Sequence, residues 1–136
     1  MKNNDMRGRN PDMSFSSRQL RELDLSDQKQ THDGGLSGPI PTGWSNLPEL
    51  ILLKLSGNKL TGVLQPGIGN LPKLEKLDVS NNQLSGGLPA ELGKLSSSCN
   101  VLDLSENACS TIPKELGDFR NSPDGVVVKL LGNVDM

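Results

Sequence analysis

Aromatic side chains are nearly absent: the chain of 136 residues has two phenylalanines, one tryptophan and no tyrosine. With Phe15, Trp44 and Phe119 as its only rings, the core is expected to be aliphatic, whereas a globule of this length usually anchors on several buried rings. Histidine is scarcer still. His32 stands alone in a polar stretch, which leaves no second imidazole for a metal cluster and no nucleophile–base pair. Cys99 and Cys109 are separated by nine residues, neither a zinc nor a thioredoxin-like spacing, and two cysteines do not make a disulfide framework. Both sit where an apolar residue is wanted and read as small hydrophobes, with a Cys99–Cys109 disulfide as the alternative.

Other absences narrow the function classes. Lys and Arg number 14 against 16 Asp and Glu, a formal net charge of −2, so there is no basic footprint for nucleic acid. No apolar run approaches the ~20 residues that a membrane helix needs. The opening segment MKNNDMRGRNPDMSFSS lacks the apolar stretch of a secretory signal, and no N-x-S/T sequon occurs. These features lead to the expectation of a cytoplasmic chain, or of a fragment of an extracellular or membrane-attached one. Residues 1–18, polar and without period, are expected to be irregular or disordered. One stretch imitates a phosphate loop, but five residues separate Gly87 from Gly93 where four are required, and Leu95 stands where Ser or Thr belongs. No cofactor, metal or catalytic group is expected.

What the sequence does have is leucine, in phase. LRELDLSDQ begins at Leu20 and resumes after an insertion near 28–35 as LSGPIPTGWSNL. LILLKLSGNKLTGVLQPGIGNL begins at Leu50, LEKLDVSNNQLSGGLPAELGKL at Leu74 and CNVLDLSENACSTIPKELGDF at Cys99, and GVVVKLLGNV from Gly125 starts another copy. Leu50 and Leu74 are 24 residues apart, Leu74 and Cys99 25, and Leu20 and Leu50 30, one unit plus a six-residue insertion. A period of this length is the mark of a solenoid whose units each need a neighbour to bury their apolar face. The pairs Leu23/Leu25, Leu53/Leu55, Leu77/Val79, Leu102/Leu104 and Val128/Leu130 alternate with a polar residue, the period of a strand with one buried face. Three residues after each pair comes an amide: Asn58, Asn82, Asn107 and Asn133, with Gln28 in the first copy. An amide supplies donors and an acceptor together, so a stacked ladder of them can satisfy the backbone where each strand turns away. Gly38, Gly62 and Gly86 suit a turn of positive φ, and Pro41 and Pro89 stop any continuing helix.

The second half of the unit, L-[ST]-G-x-[IL]-P-x-x-[IL]-G-x-L, resembles the plant-specific type of leucine-rich repeat. This type occurs in receptor-like kinase ectodomains and polygalacturonase-inhibiting proteins. The resemblance covers roughly residues 19–136, and only the fourth unit, with C-S-T-I-P, is one residue short. It implies an α/β leucine-rich-repeat solenoid: a short, right-handed, curved stack of parallel strands with turn or 3-10 segments on the convex side. Residues 19–136 would hold four repeats and a terminal partial repeat. The implied role is non-catalytic protein–protein recognition on the concave strand face, in receptor-type signalling. The alternatives are an inhibitor of a secreted carbohydrate-degrading enzyme and a structural piece of a larger repeat protein.

A stack of this kind lines up equivalent residues in columns. Between the paired apolar residues one column reads Asp24, Lys54, Asp78, Asp103 and Lys129; beside it lie Glu22, Lys76 and Val101, and a serine column runs Ser26, Ser56, Ser80 and Ser105. The serines read as scaffold, and the varied Asp/Lys column as the place where specificity is written. Glu22, Asp24, Lys54, Lys76, Asp78, Val101, Asp103 and Lys129 are therefore the candidate binding residues, and their acidic balance points to a basic protein or peptide. At the far end Val126, Val127, Val128, Leu130 and Leu131 leave apolar surface, from which end-to-end self-association is expected.

Overall fold

A computed structural model describes residues 18–28, 34–121 and 127–133. Each repeat contributes a three-residue strand to one parallel sheet: β1 (Glu22–Asp24), β3 (Leu52–Lys54), β5 (Lys76–Asp78), β7 (Val101–Asp103) and β9 (Val127–Lys129), paired in that order. The register places Leu23 opposite Leu53, Leu53 opposite Leu77, Leu77 opposite Leu102 and Leu102 opposite Val128. Every strand therefore turns the same side chain inward, because a slip of one residue would expose the whole leucine set. A second parallel sheet follows the turns: β2 (Ser37–Gly38), β4 (Lys59–Gly62), β6 (Gln83–Gly87) and β8 (Ala108–Thr111). The sequence reading saw only glycine turns there. The turn residues pair between repeats because stacking brings identical extended segments side by side. Gly38, Gly62 and Gly86 do adopt positive φ, at 86°, 80° and 76°. Gly87 opposes Thr111 one step after Gly86 opposes Cys109, so the register shifts in the repeat that is one residue short.

The helical segments are all of the 3-10 type among the described residues: Thr42–Asn46, Pro66–Asn70, Ala90–Ser97 and Lys114–Asn121. Pro41 and Pro89 stand at the N-caps of two of them, and Pro66 occupies the first turn of a third. These prolines open helices, where a missing N–H costs nothing, and do not end them. A single core runs the length of the stack, and the leucines between the sheets are almost wholly removed from water. Each fully buried leucine stabilises the fold by ~1.5–3 kcal/mol relative to exposure. The aliphatic expectation is corrected at two points. Trp44 is 0% exposed and Phe119 5%, each standing in a helix-segment column that leucine or isoleucine fills elsewhere (Ile68, Leu92 and Leu116; Leu47, Leu71 and Leu95). The first and last such segments take a ring, and Trp44 Nε1 finds no hydrogen-bond partner. Cys99 and Cys109 are free and buried, so the disulfide alternative falls. Burial raises both thiols above the ordinary value, which suits inert packing rather than reactivity. The polar N-terminal segment up to residue 17, most of the insertion including His32, and Val126 lie outside the described residues.

The second glycine of the repeat has a separate cause. A Cβ at Gly69 would come within 2.3 Å of the Glu91 carbonyl oxygen, and one at Gly93 within 2.8 Å of the Glu115 carbonyl oxygen. Successive 3-10 segments thus stack backbone against backbone, and only glycine permits that approach. Gly43 has nothing within 4 Å of the same virtual atom. Gly69→Ala and Gly93→Ala are expected to lower stability by about 1–3 kcal/mol. Gly43→Ala should leave stability unchanged or raise it by about 0.4–1 kcal/mol. Thermal denaturation of the three variants checks this, and equal effects at all three would contradict it.

Candidate functional site

The strand face is held in place by the asparagines behind it. Asn58 Oδ1 accepts from the Leu36 amide at 3.1 Å, while its Nδ2 donates to the carbonyls of Leu55 at 3.0 Å and Leu25 at 2.8 Å. Asn82 repeats this with Leu60, Val79 and Leu55, and Asn107 with Leu84, Leu104 and Val79. Asn133 does the same with Cys109, Leu130 and Leu104. Each amide thus closes its own turn and ties it to the preceding repeat. These side chains point away from the strand face, and their polar atoms are engaged. Gln28, 5% exposed, donates to the Ser26 carbonyl at 3.1 Å.

The eight candidate binding residues fall in two columns, as parallel register dictates. Glu22, Leu52, Lys76, Val101 and Val127 are neighbours in one, and Asp24, Lys54, Asp78, Asp103 and Lys129 in the other. Their exposures differ. Glu22 and Lys129 are exposed, Asp24, Lys54, Lys76, Asp78 and Val101 half-buried, and Asp103 is 8% exposed. Lys54 Nζ lies 3.9 Å from Asp24 Oδ2, and Lys129 Nζ 3.1 Å from Asp103 Oδ2. Among the described residues no such ion pair reaches Asp78.

The serine column is bound to the aspartates, a relation that the sequence reading missed. Ser26 donates to Asp24 Oδ1 from its amide at 3.2 Å and from its hydroxyl at 2.6 Å. Ser80 does the same to Asp78, at 3.1 and 2.7 Å, and Ser105 to Asp103, at 3.2 and 2.5 Å. The recurring D-x-S was the available signal. Each aspartate therefore caps the exit of its own strand, satisfying an amide that the sheet leaves open. Asp103 is the most committed of the three. Burial pushes its carboxyl up, but hydrogen bonds from the Ser105 hydroxyl, the Lys129 ammonium and the Ser105 amide, with the Lys129 charge, outweigh burial and hold it below the ordinary carboxylate value. It serves the scaffold before it serves a ligand.

The lowered value has a pH signature. Because the folded carboxyl is the stronger acid, its contribution is full above the unfolded value of about 3.9. It is lost as pH falls through the lower folded value. Wild type is expected to be more stable than Asp103→Asn near neutrality, and the gap to shrink in that acid window. Urea denaturation across pH measures it; a gap independent of pH would contradict the assignment.

A leucine-rich-repeat family model matches residues 39–84. No curated protein matches the sequence. Among solved structures the chain is similar to one from the BIR3–SERK2 complex of Arabidopsis thaliana, at 38% identity over 93% of this chain and 61% of that one, with a TM-score of 0.74. It is similar to one in the Arabidopsis receptor kinase HAESA with the peptide hormone IDA and the co-receptor SERK1, at 36% identity, 82% and 17% coverage and a TM-score of 0.68. A plant ice-binding protein matches at 30% identity, 84% and 34% coverage and a TM-score of 0.72. The chain thus spans less than two thirds of each of these relatives. In-phase strands, the asparagine ladder and these likenesses agree: the chain belongs to the leucine-rich-repeat family, with repeats of the plant-specific type.

Proposed function

We propose that the chain is a non-catalytic recognition module that binds a protein or peptide on the concave face of its five-stranded sheet, in receptor-type signalling. The observation that carries this reading is the Asp/Lys column, in which lateral ion pairs join Lys54 to Asp24 and Lys129 to Asp103 while none among the described residues reaches Asp78. A half-buried carboxylate in that position favours a basic group on the partner. Relatives built on the same coils include a receptor kinase captured with a peptide hormone and a co-receptor, which supports a protein or peptide as the ligand class. Solenoids bind on such extended faces because each repeat adds one more side chain per column at fixed spacing.

The test is a displayed peptide library selected on the intact chain. Binders are expected to be enriched in Lys and Arg and to lose affinity on the order of tenfold with Asp78→Lys, and by less with Asp78→Asn, which keeps an acceptor for the Ser80 donors and so controls for the strand exit. Asp103 is less suited to this test because its carboxylate is buried and already paired with Lys129. Binding indifferent to the charge at Asp78 would sink the reading.

At the other end of the stack Val127 is 48% exposed and Leu131 83%. This exposure favours a second mode, association between copies through the face beyond β9. Sedimentation velocity should show concentration-dependent pairing of the chain that Leu131→Glu abolishes; a wild-type chain that stays monomeric throughout removes this mode.

A further inference from the structure

The clasp between aspartate and serine closes in the first, third and fourth repeats. In the second repeat Lys54 stands where the first, third and fourth carry aspartate, and it turns its ammonium toward Asp24. Ser56 keeps its place in the column, half-buried on the strand face. Its carbonyl accepts from the Asp27 amide at 2.8 Å, so its backbone lies in the same turn as its counterparts. Its own amide and hydroxyl have no acceptor among the described residues, whereas the equivalent donors of Ser26, Ser80 and Ser105 each close on a carboxylate oxygen within 3.2 Å.

The fold therefore displays, three times over, what this pair of donors holds, and presents it once without an occupant. We infer that Ser56 forms a specificity-determining subsite of the concave face, where its amide and hydroxyl receive a carbonyl oxygen from the bound peptide. The inference rests on the concave-face reading above. The occupant is a neutral carbonyl, from a main-chain amide or an Asn or Gln side chain. Asp24 and Asp78 flank the position in the same column, and Lys54 is already drawn to Asp24, so an incoming carboxylate would meet like charge on both sides. A carbonyl takes the two hydrogen bonds without that repulsion. The ligand pattern that follows is an acceptor at the second repeat next to a basic group at Asp78 in the third.

Lys54 supplies the discriminating variants. Lys54→Asn places a carboxamide oxygen where the aspartates of the other repeats have theirs, so the chain fills its own subsite. Lys54→Ala removes the same charge and leaves the subsite open. Selected peptides whose binding depends on Asp78 are measured by calorimetry against both. Lys54→Asn is expected to weaken them by about tenfold more than Lys54→Ala, the worth of one to two net hydrogen bonds, since both variants lose the ammonium and only the first fills the subsite. Amide exchange gives a readout independent of any ligand: the Ser56 amide should exchange faster than those of Ser26, Ser80 and Ser105, and Lys54→Asn should slow it to their range. Equal losses with the two variants, no loss with Lys54→Asn, or a Ser56 amide already as protected as the others would each overturn the subsite. Peptides indifferent to Asp78 would instead remove the concave-face reading, and the subsite with it.

Discussion

A solenoid must turn its chain at every strand exit while remaining inside a stack, and the backbone groups at those turns are buried where water cannot reach them. The asparagine ladder meets this constraint here. One carboxamide satisfies an amide of the preceding repeat, a carbonyl of that repeat and a carbonyl of its own turn. Because its reach is fixed, each repeat must present the same turn at the same height as its neighbour. Strand register, the leucine columns and the stacking of the 3-10 segments are consequences of that alignment. An insertion is tolerated in the first repeat where it leaves the strand and the turn intact on either side.

Alignment of this kind makes every surface position a column, and columns bring like residues together. The strand face handles the resulting charge in two ways. Lateral lysines pair with aspartates of neighbouring repeats, and local serines hold the carboxylates with two donors each. The same lateral logic runs along the outer turns, where Lys73 reaches Glu49 at 2.7 Å and Lys94 reaches Asn70 at 2.8 Å, each 24 residues back in the chain. Exposed pairs like these add little individually. Their use lies in holding one orientation of side chain per column, so that a position that breaks the pattern, as Lys54 does, stands out against a uniform background.

Much of this was legible residue by residue. The leucine pairs gave the buried face of each strand because their period is two, and Gly38, Gly62 and Gly86 required positive φ because a side chain is strained there. The columns followed from the period alone. The reading failed where contacts join residues that no local pattern links. The core was expected to be aliphatic, yet the column that Trp44 shares with Ile68 and Leu92 places its ring in the core. Asp103 looked like an open ligand position, but the serine two residues on and the lysine of the next repeat enclose it. The second sheet escaped notice because its strands are short and polar on one side, and they pair only when repeats stack.

Sequence by itself determined the family of fold, the direction of each side chain in its strand and the membership of each column, since all three follow from spacing along the chain. Tertiary structure alone decided which column members are available to a partner. Availability depends on distances between repeats of a few ångströms, which set whether a carboxylate is capped, paired or left open, and spacing in sequence carries no record of those distances.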